Sequence, residues 1–395
     1  MIGTGPGGSA TPPLVVLHAA PKIWLELTQT WLYAQIQHLP REVESHVVCE
    51  ETANLELFPF PRVHRFDEEP KSRRILDAAM RRLGIRRHLG FFERCARDLR
   101  PTLLHSHFGW TGWEFLDVAR AVGAKHVVTF YGLDVNYLPG QGWGHRYPEL
   151  FARVDRILCE GPHMRRCVIA LGCPEEKVFV HHLGVDVSRI DFRPRAWDRR
   201  GSLRVLMVAS FREKKGLPYG IQALSLLRDR IDSTLTIVGG AGSAERSRAE
   251  EQRILETIEE TGMRDRVRFP GFLSFRELMR LAEEHHVFLA PSVVSRDGDT
   301  EGGAPVTLID MAASGMPIVS TTHCDIPEVI LDGETGLLAP ERDPGALASC
   351  IERLASDPAK WKAMVAAGRN RIEEHFDARR QGIHLARHYR EILRD

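Results

Sequence analysis

The stretch VFLAPSVVSRDGDTEGGAPVTLIDMAASGMPIVST, residues 287–321, holds one complete strand–turn–helix–strand pattern. A short apolar run at 287–292, bounded by turn residues, suits a buried strand. The chain then turns acidic and glycine-rich at DGDTEGG and becomes apolar again from Pro305, where a proline in the first turn fits helix entry. A second apolar run, 316–321, follows as the next strand. Two carboxylates mark the unit: Glu301 on the glycine turn and Asp310 inside the apolar helix.

The same alternation runs through the rest of the chain. Strand candidates lie at 14–20, 45–50, 103–108, 125–132, 156–161 and 178–184. A polar, basic segment, DFRPRAWDRRGS (191–202), reads as a linker, and a second series follows at 203–210, 233–240, 266–272, 287–292 and 316–321. Strands alternating with helices imply a parallel sheet covered on both faces. Two series imply an α/β chain of two Rossmann-like domains facing a central cleft. The expected divisions are a flexible tail at 1–12, an N-terminal Rossmann-like domain at 13–195, a C-terminal Rossmann-like domain at 196–374, and a C-terminal helix at 375–395 able to pack back on the first domain. GTGPGG near the start has no strand before it and no helix after it, so it is not read as a phosphate-binding fingerprint.

A chain of 395 residues, 43% hydrophobic and 27% charged, suits a soluble protein with more than one core. No apolar run approaches the roughly 20 residues needed to span a bilayer, and the first residues lack the pattern of a signal peptide. Seven scattered cysteines without a CxxC pair point to reduced thiols in the cytoplasm rather than a disulfide framework or a zinc site. Zero formal net charge gives no electrostatic ground for a nucleic-acid partner. Charge is concentrated locally. Residues 73–100 hold nine arginines against three acids, with Ile75, Leu76, Ala79, Met80, Leu83 and Leu89 at roughly helical spacing. Two readings stand: a basic amphipathic face for anionic lipid or an acidic acceptor, which would place the protein peripherally at the inner face of the membrane, or a solvated helix packed on the core. Oligomeric state is not legible.

In open α/β sheets, ligands bind beyond the carboxyl ends of the strands. After strand 203–210, which ends at Ser210, come Arg212, Lys214 and Lys215 on a turn opening a helix at Gly216. Cations at a helix N-terminus oppose its dipole unless an anion is shared, and a diphosphate is such an anion. After 233–240 comes a glycine turn at Gly240, and Phe272 closes the strand 266–272. After 287–292, the amides of Gly302, Gly303 and Ala304 lead to Pro305 and suit phosphate. Glu301 can accept hydrogen bonds from sugar hydroxyls and Asp310 from a ribose diol. His107 and Trp110, with Tyr131 and Asp134, are the acceptor-side or cleft candidates; Trp113 suits a sugar platform or packing. His105 and His107 share a face, but a metal pair there lacks a visible third ligand. His181 and His182 read as structural. Asp297 and Asp299 mimic an Asp-x-Asp manganese site but read as loop residues.

The region 203–340 resembles the C-terminal domain of retaining, nucleotide-sugar-dependent glycosyltransferases of family four, which have the GT-B fold. The resemblance rests on Lys215 before Gly216, on Glu301-Gly302 followed by GAPVTLI, Asp310 and MAASGMPIVST, and on CDIPEVILDGETGLL (324–338). TQTWLYAQIQHLP (28–40), HSHFG (105–109), TFYGLDV (129–135) and GVD (184–186) extend it through the first half. The nearest look-alikes are bacterial exopolysaccharide and colanic-acid-type transferases. The pattern departs from the family's at Ser210, where the family has an arginine and Arg212 stands two residues on. It departs again at Tyr131, in place of a histidine, and at Asp310, in place of a glutamate after one extra turn residue. The resemblance implies retaining, metal-independent transfer of a hexosyl group from a UDP-sugar, or a GDP-sugar, to a hydroxyl on a glycan, a lipid-linked saccharide or a small metabolite. Glu301, Lys215 and Arg212 would be catalytic, and no cofactor is implied beyond the nucleotide-sugar co-substrate. A nucleotide-sugar 2-epimerase on the same scaffold and an inactive carbohydrate- or nucleotide-binding scaffold are the alternatives.

Overall fold

The computed structural model describes residues 13–20, 22–26, 29–86 and 88–394. The expected tail at 1–12 and Thr28 of the TQTWLYAQIQHLP stretch lie outside the described residues.

Two sheets organise the chain. In the first, β1 (Leu14–Ala19), β2 (Val43–Cys49), β3 (Val63–Arg65), β4 (Leu103–His107), β5 (Lys125–Phe130), β6 (Arg156–Cys159) and β7 (Val178–Val180) run in the order β3-β2-β1-β4-β5-β6-β7. In the second, β8 (Leu203–Val208), β9 (Ser233–Val238), β10 (Val267–Gly271), β11 (Val287–Ala290), β12 (Ile318–Thr321) and β13 (Leu337–Ala339) run in the order β10-β9-β8-β11-β12-β13. Each order reverses direction once, between its first strand and the fourth, as doubly wound nucleotide-binding sheets do. The pairings among β1–β5 and throughout the second sheet are parallel.

By packing, the described residues form two compact units: those up to Thr129 with Glu149–Ile157 and those from Gly382 onward, and Phe130–Pro148 with Leu158–Gln381. In the first unit, Leu17, Val48, Leu104, Phe92 and Phe115 build one core layer and Trp24, Leu32, Ile36 and Val47 another. The C-terminal helix Ala378–Ile392 contributes to this unit through its last turns. The Tyr389 hydroxyl lies 2.7 Å from His105 Nδ1, and Arg156 pairs with Glu391 at 2.8 Å.

In the second unit the alternation along β8 is direct. Val205 and Met207 enter one core cluster with Ile221, Leu224 and Leu289. Leu206 enters the opposite cluster with Phe288, Leu308 and Ile318. Apolar cores on both faces are what a covered parallel sheet requires. The segment 191–202, expected as a linker, has no helix or strand; it lies within the second unit and is fastened there. Arg193 N–H donates to Ser314 O at 3.0 Å, and Arg195 N–H to Gly315 O at 2.9 Å.

Candidate active site

The turn after β8 and the turn after β11 meet through charge. Lys215 Nζ donates to Glu301 Oε2 at 2.8 Å, and the Ser292 hydroxyl donates to Glu301 Oε1 at 2.9 Å. Lys214 Nζ donates to Asp299 Oδ1 at 3.1 Å and to Thr300 O at 2.6 Å, while Arg212 pairs with the other oxygen of Asp299. Three cations and two carboxylates with shielded side chains therefore interlock at the end of the strands. Glu301 N–H donates to His323 Nε2 at 3.1 Å, and His323 Nδ1 lies 2.7 Å from Glu341, so a histidine after β12 fixes the glutamate's backbone.

The helix Val306–Ala313 starts just past Pro305, and Asp310 is buried inside it. Gly302 sits at φ 81°, in the left-handed region, and a Cβ there would stand 2.4 Å from Gly132 Cα. Only a residue without a side chain allows that approach. The Gly302 N–H is spent on Thr300 Oγ1 at 3.1 Å, and Asn136 Nδ2 holds the same oxygen at 2.7 Å. A Cβ on Gly303 would overlap Glu160 Oε2 at 1.9 Å, so this carboxyl lies directly on the glycine turn. Ala304 shares a small cavity with Glu160 and Asp325, and Pro305 shares another with Lys215, Glu301 and Ser292. Asp325 in turn caps the helix Pro162–Ala170, whose own N-cap is Gly161: its carboxylate accepts from His163 N–H at 2.7 Å and Met164 N–H at 3.2 Å.

The remaining candidates are placed as follows. Gly240 packs under the Phe272 ring, 3.1 Å from where a Cβ would be, and Phe272 is exposed on its other side. Ser210 is half-buried at the start of the turn that carries Arg212. Tyr131 is buried, its N–H donating to Asp134 Oδ1 at 2.9 Å. In the other unit, Trp110 is half-buried and stacks on Phe108 with ring centroids 4.2 Å apart. His107 is fully buried there, 3.2 Å from His18 Nδ1. The third histidine for a metal pair, invisible in the sequence, exists: His18 on β1 joins His105 and His107 with ligand atoms within 4.8 Å. Parallel register places it, since His18 pairs with His105. His105 is already held on both ring nitrogens, by Tyr389 and by Thr129 Oγ1 at 2.7 Å each, which is the bonding of a structural network.

Comparison with known proteins settles the family. Residues 202–357 match the family described as glycosyl transferases group 1, and 28–189 match glycosyltransferase family 4. The colanic acid biosynthesis protein WcaL of Escherichia coli K12 is 32% identical over 292 residues, 71% of this chain and 68% of that protein. The chain belongs to glycosyltransferase family 4. The amylovoran biosynthesis glycosyltransferase AmsK of Erwinia amylovora is 33% identical, across 69% of this chain and 65% of that protein. Among solved structures, Anabaena Alr3699/HepE in complex with UDP and glucose superposes with a TM-score of 0.75 at 14% identity, covering 96% of this chain and 100% of that one. Sucrose-phosphate synthase of Thermosynechococcus elongatus gives 0.71 at 17% identity, covering 95% and 98%. The fold of this glycosyltransferase is GT-B.

The electrostatics of the family 4 chain separate its carboxyls. Burial pushes Glu301 upward, but Lys215 and Lys214 outweigh it and hold the group at about 2, so it is ionised at neutral pH. Burial alone pushes Asp310 up to about 7. Glu160 is driven well above the usual carboxylate range by burial, then by the charges of Asp325, Asp134 and Glu301. Burial pulls the Lys214 ammonium below the lysine range against Glu301 and Asp299. Sequence reasoning missed the parts played by Asp299, Glu160, Asp325 and His323. Glu160 follows β6 directly, which is the signal that finds such residues, but it was read as part of an over-long strand ending at Gly161. Asp299 was read as a loop residue of DGD; it is the buried counter-ion of Arg212 and Lys214.

Proposed function

We propose that this glycosyltransferase moves a hexosyl group, with retention, from a nucleoside-diphosphate sugar to a hydroxyl acceptor in the assembly of a cell-surface polysaccharide. The observation that carries this reading is the interlock of Lys215, Lys214 and Arg212 with Glu301 and Asp299 on a glycine turn at the strand ends. A diphosphate leaving group builds negative charge as the glycosidic bond breaks, and preformed cations are the groups that stabilise it. Lys215 is the cation nearest the sugar-facing glutamate. Glu301, ionised and held from three sides, is an acceptor for donor-sugar hydroxyls and a stabiliser of oxocarbenium character. Its backbone is fixed by His323, so the carboxylate is pre-positioned rather than recruited. Asp299 is committed to two cations, which favours catalysis by protein cations over a metal held by the DGD segment. Phe272, exposed over Gly240, offers a stacking face for a nucleotide base. UDP is the favoured nucleotide, since a fold neighbour is described with UDP and glucose, and GDP is the second choice. The names of the two relatives support an exopolysaccharide acceptor.

The test is a melting-temperature screen with UDP, GDP and ADP, followed by transfer assays with the sugars of the nucleotide that stabilises. A ligand that binds only the folded state raises the melting temperature with concentration. Product that keeps the donor's anomeric configuration supports retention, and inversion refutes it. Nucleotide release with an epimerised sugar and no need of acceptor would establish the epimerase instead.

A further inference from the structure

The helix Lys71–Arg82, KSRRILDAAMRR, has no buried side chain. At about 100° per residue, Ile75, Ala79, Leu83, Leu76 and Met80 fall within one arc of about 140°. Asp77 lies on the far side and fastens the helix, its carboxylate 2.7 Å from His88 Nδ1. The helix is thus held by its polar side and turns its apolar side to solvent. Ile75 is 71% exposed, Leu76 61%, Met80 37% and Leu83 77%. This inverts the arrangement of a surface helix packed on a core.

The charges around that arc are of one sign. Lys71 and Arg82 border it on one edge and Arg73 on the other, with Arg74 and Arg81 further round. Arg73 shares Glu69 with Arg94, at 3.3 Å, and Arg74 donates to the backbone of Asp67. Among the described residues no ion pair reaches Lys71, Arg81 or Arg82. A second copy of this face would bring like charge against like charge. A nucleic acid would satisfy the cations and leave the apolar arc in water. A surface that is anionic outside and hydrocarbon beneath satisfies both.

We propose that the helix Lys71–Arg82 lies in the plane of an anionic phospholipid bilayer. Ile75, Leu76, Met80 and Leu83 enter the headgroup–acyl boundary, and the flanking cations meet lipid phosphates. The proposal deepens the acceptor side of the proposed function by bringing the enzyme to the surface where a lipid-linked saccharide is carried. It is independent of which sugar is transferred.

Flotation of the full chain with vesicles of phosphatidylglycerol and phosphatidylcholine, against phosphatidylcholine alone, tests it without donor or acceptor. The expected result is binding to the anionic vesicles that falls about tenfold or more in Lys71→Gln/Arg82→Gln. Binding should also be lost in Ile75→Ser/Leu76→Ser/Leu83→Ser, with both variants melting like the wild type because none of these side chains is buried. Equal binding to neutral vesicles, no binding at all, or full binding by the triple variant overturns the proposal. So does a dimer in sedimentation velocity that the triple variant dissolves. Transfer to a soluble acceptor in vesicle-free buffer, measured in parallel, separates failure of this proposal from failure of the catalytic reading.

Discussion

Glu301 and Lys215 form the ion pair at the centre of the proposed function. On that proposal, replacing Lys215 by alanine removes a cation from the leaving group, and replacing Glu301 by alanine removes the sugar-facing carboxylate. Each should lower kcat about 100-fold or more in a chain that still folds but melts lower, since each leaves a buried charge without its partner, as steady-state kinetics and thermal melts will show. Asp299 belongs to a different case. It is the buried partner of Arg212 and Lys214, so Asp299→Asn leaves two cations without their anion. A loss of about 3 kcal/mol in urea unfolding is expected; an unchanged midpoint would refute the counter-ion role. Glu160 supplies a pH test. Its folded pKa is raised, so the folded state keeps a proton that the unfolded chain releases above the ordinary glutamate value of 4.5, and stability falls as pH rises through that window. Glu160→Gln keeps the shape of the neutral acid. It should match the wild type in denaturant melts at pH 5 and exceed it at pH 9.

At the scale of elements, the glycine turn before the helix Val306–Ala313 depends on a close approach. Gly302→Ala places a methyl group 2.4 Å from Gly132 Cα at a left-handed φ. That substitution should displace the turn from Lys215, weakening nucleotide binding in calorimetry more than Gly298→Ala, where the nearest atom is 3.6 Å away. The elements also show why some strands were legible and others not. β1, β8 and β11 are largely apolar runs in sheet interiors, and their sequences announce them. β3 and β13 have three residues each and lie on sheet edges, too short for any period to show.

For the whole molecule, buried neutral histidines set acid sensitivity. Burial, and then His46, lower His18 to about 3; burial chiefly lowers His126 to about 3. Groups with depressed folded pKa leave stability intact above their unfolded value of 6.5 and remove it as pH falls towards 3. The melting temperature should therefore drop steeply below about pH 6, and less steeply in His126→Asn. The two-sheet plan could be read from the chain, and so could the proximity of Lys215 to Glu301, because both follow strand ends in this architecture. Residues whose roles depend on which distant loops meet could not. His18 needs the β1–β4 register, Asp299 needs the cation turn that begins 87 residues earlier at Arg212, and Glu160 needs Gly303 beside it.

The cap on the helix Pro162–Ala170 has a bearing on how the chain is made. During synthesis His163 and Met164 leave the ribosome long before Asp325, which is 161 residues downstream of Met164. At ordinary elongation rates the helix waits on the order of ten seconds or more for the carboxylate that completes its first turn. The first half of the chain is therefore unfinished when it emerges. A fragment ending at the linker would lack this cap, at a cost of about 1 kcal/mol to that helix.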